Sequence, residues 1–410
     1  MTFHHTILDN GLHLVGEDIP QAQSVAFGFF VRAGARDETP EVNGVSHFLE
    51  HMVFKGTDKY SAEDVNRLFD EVGANYNAST SEEITMFYAA VLPEYLPETF
   101  AVQSAILFPA LRESDFDTEK QVILEEIGMY DDQPTYVAYD HAMQQHFSGH
   151  PLGQTVLGSR ESVGALTSTQ MCDYHRARYA AGNIVLAVAG KFDWPTIIEL
   201  ANEHCGHWPA GGADRLVTPA ITQPHRLWMT RPHLQQQTVV GFCPAPSSSD
   251  PRRFAAEVLS IIVGDDSNSR LFWEIVDSGD ADAAEINFHE FEGTGAFLTF
   301  LSGEPEQTAS NLAAIDRVFA AVNRDGVTVE ELEVAKTKLA TRLVLRAERP
   351  MGRLGQLGGD WLTRREYRSV ETDLEELRSI TVESMRSLLD HFPLTLQTVV
   401  GVGPNTAIEW

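Results

Sequence analysis

A chain of 410 residues is too long for one ordinary domain and suggests two or three, and a hydrophobic content of 43% is that of a protein with sizeable cores. Asp and Glu number 59 against 30 Lys and Arg, a formal charge of -29 that argues against a nucleic-acid-binding or anionic-membrane surface. Three scattered cysteines, Cys172, Cys205 and Cys243, exclude a disulfide framework and a cysteine zinc site. No run approaches a membrane span. Met1 to Leu8 lacks the basic region and long apolar stretch of a secretory signal, so the expected location is cytoplasmic.

In chain order, residues 6 to 16 read as a hairpin turning at Asp9-Asn10-Gly11. Val25 to Val31 reads as a buried strand, and a polar loop with Gly34 and Pro40 then delivers Val45-Ser46-His47-Phe48-Leu49-Glu50-His51-Met52-Val53. On a helix His47, Glu50 and His51 share one side, and Val45, Leu49, Met52 and Val53 share the other. Two imidazoles at i and i+4 can reach one tetrahedral metal ion, and the intervening carboxylate lies near a metal-bound water without ligating it. The order H-x-x-E-H inverts the commoner zinc-peptidase helix. The alternative is two surface histidines on an amphipathic helix, and a third ligand decides between them.

Gly56-Thr57 ends that helix, and Ser61 with Asp64 forms a capping-box start for the next. Two extended runs follow, 74 to 80 and 83 to 92, and the first is small and polar, as a strand that receives a peptide backbone can be. Asp117 to Ile127 reads as a helix with Asp117 as N-cap. Glu119 and Glu126, seven apart, share a stripe from which Glu125 points away, which favours Glu126 as the third ligand and Glu119 as a carboxylate orienting a histidine.

These residues, His47 to His51 with Lys55-Gly56-Thr57, Glu119 and Glu126, resemble the inverted-zincin peptidase family of pitrilysin, insulin-degrading enzyme and mitochondrial processing peptidase. Asn77-Ala78-Ser79-Thr80-Ser81 with Thr85 and Tyr88 is similar to the family's substrate-pairing edge strand, and Ser269-Arg270-Leu271-Phe272 to a motif of its second domain. The resemblance implies one zinc ion per chain held by His47, His51 and Glu126, Glu50 as the base that activates water, and Asn77, Ala78 and Ser79 as substrate-binding residues. The ligand types suit zinc, and cobalt or manganese fits the same geometry.

The region 207 to 226, rich in Gly and Pro with little periodicity, reads as a linker between an N-terminal domain, 1 to 206, and a C-terminal domain, 227 to 410. Beyond it the pattern repeats: 238 to 242 resembles 25 to 31, the strands near 286 to 301 resemble 74 to 92, and a helix beginning near Ser269 takes the place of the motif helix. The expected fold is α+β, with two homologous α/β domains, each a mostly antiparallel mixed sheet packed with helices. Only the first half contains H-x-x-E-H.

Family members usually present an arginine and, some way after it, a tyrosine from the second domain to substrate and oxyanion. Arg270 matches the arginine and counts as a catalytic candidate with Glu50 and Glu119, but Asp280 to Glu285 contains no aromatic residue. Three explanations remain open: another donor, weaker catalysis, or a partner chain supplying the pair. The expected function is a zinc-dependent endopeptidase acting on short or unfolded peptides in a chamber formed by two chains, as a homodimer or a heterodimer with a related chain, without nucleic-acid or membrane partners. The alternatives are the zinc-binding subunit of a heterodimeric peptidase and a non-catalytic assembly subunit.

Overall fold

The apolar runs Val25–Val31 and Ile184–Gly190 are buried at every residue in the computed structural model, which describes residues 1–410. Strands without a polar face belong at the centre of a sheet covered on both sides. They occupy that place in the first sheet, whose strands are β1 (Thr2–Ile7), β2 (His13–Asp18), β3 (Val25–Val31), β4 (Asn75–Thr80), β5 (Thr85–Val91) and β6 (Ile184–Gly190). The order is β1-β2-β6-β3-β5-β4, with only β2 and β6 parallel.

The second sheet contains β7 (His225–Thr230), β8 (Gln237–Ala245), β9 (Ala283–Phe291), β10 (Thr294–Gly303) and β11 (Thr398–Gly403). Its order is β7-β11-β8-β10-β9, again with one parallel pair, β7 and β11. Apart from β1, the two sheets have one plan, so the fold is α+β with a duplicated, mostly antiparallel mixed sheet. The hairpin expected near Asp9-Asn10-Gly11 is present as β1 and β2, with Gly11 at φ 92.

The chain forms two compact units, the first of residues 1–127, 154–216 and 344–368 and the second of 128–153, 217–343 and 369–410. Residues 209–224 carry no helix or strand, and the units change over within them. A cut through this stretch separates the halves of the sequence but not the units, because each unit takes one helix from the other half. Pro350–Arg364 packs on β2, β3 and β6 of the first unit, where Leu354, Leu357 and Trp361 meet Val15, Ala26, Phe30, Val185 and Ala187. A Cβ on Gly358 would lie 2.2 Å from the Phe30 ring, so this helix approaches the sheet only through glycine. Reciprocally, Pro134–His146 packs on β8 and β11 of the second unit.

Two local expectations are corrected. The second glutamate helix runs Glu113–Asp131, so Asp117 lies inside it rather than at its cap; Glu113 and Asp115 fill its acidic first turn. The element in the place of the motif helix is Arg253–Gly264, directly after β8, whereas the segment after Ser269 is a short π-helical turn, Phe272–Val276. Arg253–Gly264 is almost wholly buried, so it lacks the polar stripe that marks an amphipathic helix in sequence.

Candidate metal centre

The motif helix, Val45–Val53, buries Val45, Phe48, Leu49, Met52 and Val53 completely or nearly so. Its N-terminus is set by a buried carboxylate from the preceding loop, since Gly44 at the cap position has no side chain to offer. Glu38 Oε1 accepts from Ser46 N–H at 2.7 Å, and Oε2 from Gly44 N–H at 2.7 Å and Asn43 Nδ2 at 2.8 Å. Phe48 stacks on Phe116 at 4.7 Å, which fixes the motif helix against Glu113–Asp131, where Phe116, Glu119, Ile123 and Ile127 are buried.

That packing brings His47, His51 and Glu126 together, with one ligand atom of each within 4.8 Å of the others. Glu126 Oε2 lies 3.9 Å from His47 Nε2 and 3.5 Å from His51 Nε2. Donors about 2.0–2.2 Å from one tetrahedral ion stand roughly 3.3 Å apart, so two imidazole nitrogens and a carboxylate at these separations fit zinc with little adjustment. Burial, and then the neighbouring His51, push the His47 imidazole down to about 3, leaving it in the neutral form that ligates metal.

His51 Nδ1 is 2.9 Å from Glu119 Oε1. An ionised carboxylate only accepts, so the ring proton resides on Nδ1 and the Nε2 lone pair faces Glu126 and His47. The other oxygen, Glu119 Oε2, is ion-paired with Lys55 Nζ at 2.5 Å. Glu125 is exposed, in keeping with the expected stripe.

Glu50 is half-buried beside the three ligands. Burial raises its carboxyl, while the hydrogen bond from the Thr80 hydroxyl pulls it back. Thr80 Oγ1 donates to Glu50 Oε2 at 2.5 Å.

Thr80 ends β4, the outermost strand of its sheet. Ser81 N–H bonds Ile84 C=O on the β5 side, and N–H groups alternate along a strand, so those of Ala78 and Thr80 face the open edge. Asn77 Oδ1 accepts the Ala78 N–H at 2.9 Å, and Asn77 and Ser79 are exposed. A peptide strand adding at this edge would have to displace the Asn77 amide from the Ala78 N–H.

Arg270 belongs to the second unit. Its Nε and Nη2 grip Glu331 at 2.7 and 2.9 Å, and Nη2 also donates to Gly326 C=O at 3.0 Å. Although burial opposes ionisation of Glu331, the Arg270 guanidinium and then the Thr328 N–H and hydroxyl hold its carboxyl down to about 2. Ala283, at the expected place of a tyrosine, begins β9 and pairs with Ser302.

Three contributors were given no role from sequence. Lys55 had a signal, four residues beyond His51 on the same helical side. Thr80 shares a strand side with Ala78 by alternation. Glu38 had none, because its capping contact is made across a loop.

Comparison with known proteins gives concordant results. Residues 14–160 match the family model for insulinase, peptidase family M16, and residues 165–339 match that for the peptidase M16 inactive domain. A protein of Mycobacterium tuberculosis, named an uncharacterized zinc protease, is 33% identical over 98% of this chain and 93% of its own. A Bacillus subtilis protein with the same description is 30% identical over 92% and 93%. The crystal structure of a peptidase M16 inactive domain from Pseudomonas fluorescens superposes with a TM-score of 0.92 at 18% identity, covering 100% of this chain and 99% of that one, which speaks to the fold alone.

Proposed function

The chain belongs to the insulinase family, peptidase family M16, and from that membership we propose that it is a zinc-dependent endopeptidase that hydrolyses short or unfolded peptides. The observation that carries this reading is the convergence of His47, His51 and Glu126 with Glu50 beside them. A zinc ion held by the three ligands supplies the positive charge that polarises a water molecule and a peptide carbonyl.

The chain's own residues do the remainder. Asn77, Ala78 and Ser79 bind substrate along the open edge of β4, which sets the scissile bond at a fixed distance from Glu50. Glu50 accepts the proton of the attacking water and delivers it to the leaving nitrogen as the C–N bond breaks. Glu119, steadied by Lys55, keeps the His51 ring in its ligating tautomer. The three cysteines are unpaired, which suits a reducing compartment such as the cytoplasm.

A second reading is favoured by a specific observation. Arg270 is engaged by Glu331, and no aromatic residue lies between Asp280 and Glu285. A partner chain that supplies an arginine and a tyrosine would make this protein the zinc-binding subunit of a heterodimeric peptidase; a homodimer is the simpler arrangement. The test is cleavage of a mixed quenched-peptide library by the purified chain alone, with zinc content measured on the same sample and a chelator control. Chelator-sensitive cleavage at about one zinc per chain supports a self-sufficient peptidase. Full zinc occupancy without cleavage points to the heterodimer, and failure to bind zinc removes both readings.

A further inference from the structure

Resting on the peptidase reading above, we propose that Thr80 is the positioning residue of the base: its hydroxyl holds Oε2 of Glu50 and so ties the orientation of that carboxylate to the strand that receives the substrate. Three observations carry this. The contact is short, 2.5 Å from Thr80 Oγ1 to Glu50 Oε2. It joins the motif helix to the last residue of β4, the open edge strand of its sheet. Thr80 and Ala78 lie on the same side of that strand, so a peptide paired along the edge at Ala78 is registered one pleat repeat from the residue that grips the base.

The consequence is an asymmetric carboxylate. Oε2 accepts from the threonine hydroxyl, the Thr80 backbone N–H adds a second contact to the same carboxylate, and no other side chain donates to Glu50, so Oε1, the oxygen free of the hydroxyl, is the one this proposal assigns to react. As the water oxygen bonds to the carbonyl carbon, its O–H bond breaks and the proton passes to Oε1. It passes from Oε1 to the amide nitrogen as the C–N bond breaks, so Glu50 ends each cycle ionised and still bonded to Thr80. A carboxylate free to rotate about its terminal torsion would present either oxygen at varying distance, and small misplacements of a reacting group are costly in rate. Thr80 is β-branched and its hydroxyl swings on a restricted χ1, which suits it to hold one geometry.

The test uses the full-length, zinc-loaded protein with Thr80→Val, which keeps shape and strand propensity without the hydroxyl, and Thr80→Ser, which restores the hydroxyl. Expected for Thr80→Val is a loss of kcat of roughly 10- to 100-fold at near-unchanged KM, zinc content and Tm. Thr80→Ser should recover most of the rate. A readout independent of turnover is the infrared carboxylate band of Glu50, isolated by difference against Glu50→Gln; its hydrogen-bond shift should persist in the serine variant and be reduced in the valine variant to what the residue-80 backbone N–H alone supplies.

A band indifferent to residue 80, or a valine variant with wild-type kcat, overturns the assignment of Thr80 and leaves the peptidase reading standing. A rate loss that serine does not rescue, accompanied by a lowered Tm, also overturns it in favour of a purely structural role. If the zinc-loaded wild-type protein cleaves nothing while the band does track residue 80, it is the self-sufficient peptidase that falls, which overturns the rate effect proposed for the chain alone and leaves the contact and the heterodimer reading.

Discussion

Glu50 and His51 are adjacent in the chain, yet their contacts assign them different tasks. His51 presents Nε2 to Glu126 because Glu119 holds its Nδ1 proton. Glu50 makes its close side-chain contact with Thr80 and lies off the ligand triangle. Substituting each therefore separates binding from turnover. Glu50→Gln should retain zinc at about one equivalent per chain and lose on the order of a hundredfold or more in kcat. His51→Ala removes one of three ligands and should lose zinc and activity together. Zinc analysis and peptide assays on the same preparations check both, and a Glu50→Gln variant that cleaves near the wild-type rate would refute the role given to the base. That Glu119 should orient a histidine was an expectation from sequence, but that the histidine is His51 and that Lys55 holds the other oxygen are settled by a helix packing contact.

The motif helix depends on the loop before it. Gly34 lies against the Ser81 and Glu82 backbone, where a Cβ would come within 2.5–2.7 Å, and Arg36 N–H bonds Glu82 C=O at 2.8 Å. That seating brings Glu38 beneath the helix N-terminus, where burial pushes its carboxyl up to about 7 even though the Ser46 and Gly44 amides pull it back. A folded-state value above the ordinary 4.5 means that the folded state holds this proton longer than the unfolded chain does. The stability contributed by this group is thus fully present below pH 4.5 and is lost as the pH rises towards 7, by about 3 kcal/mol. Denaturant unfolding of the zinc-free protein at several pH values should show this slope in the wild type and not in Glu38→Gln. Glu38→Ala leaves the cap amides without their acceptor and should cost about 1–3 kcal/mol. Equal slopes in wild type and Glu38→Gln would mean that Glu38 does not titrate in this window.

At the scale of the whole molecule, a formal charge of -29 would favour cationic peptides if part of it lines the substrate site. Cleavage of matched peptides at low ionic strength should rise with their positive charge by roughly tenfold or more, an advantage that fades at about 0.15 M salt as screening sets in. A flat dependence on peptide charge would show that the excess of carboxylates has no part in substrate capture. No helix is long and apolar enough to cross a membrane. The duplication was legible in sequence, since apolar runs at 25–31 and 238–242 recur and become β3 and β8, the central antiparallel strands of the two sheets. The motif was legible too, because four-residue spacing places His47 and His51 on one helical side whatever surrounds the helix. These are consequences of local periodicity, which a sequence carries in itself. Only the tertiary structure decided that the helices at 134–146 and 350–364 are exchanged between the units, that Arg253–Gly264 takes the place of the motif helix, that Arg270 pairs with Glu331, and that Thr80 holds Glu50. Each of these follows from contacts between residues distant in the chain. Periodicity tells which face of an element is apolar, whereas the partner that covers it is set by packing of the whole fold.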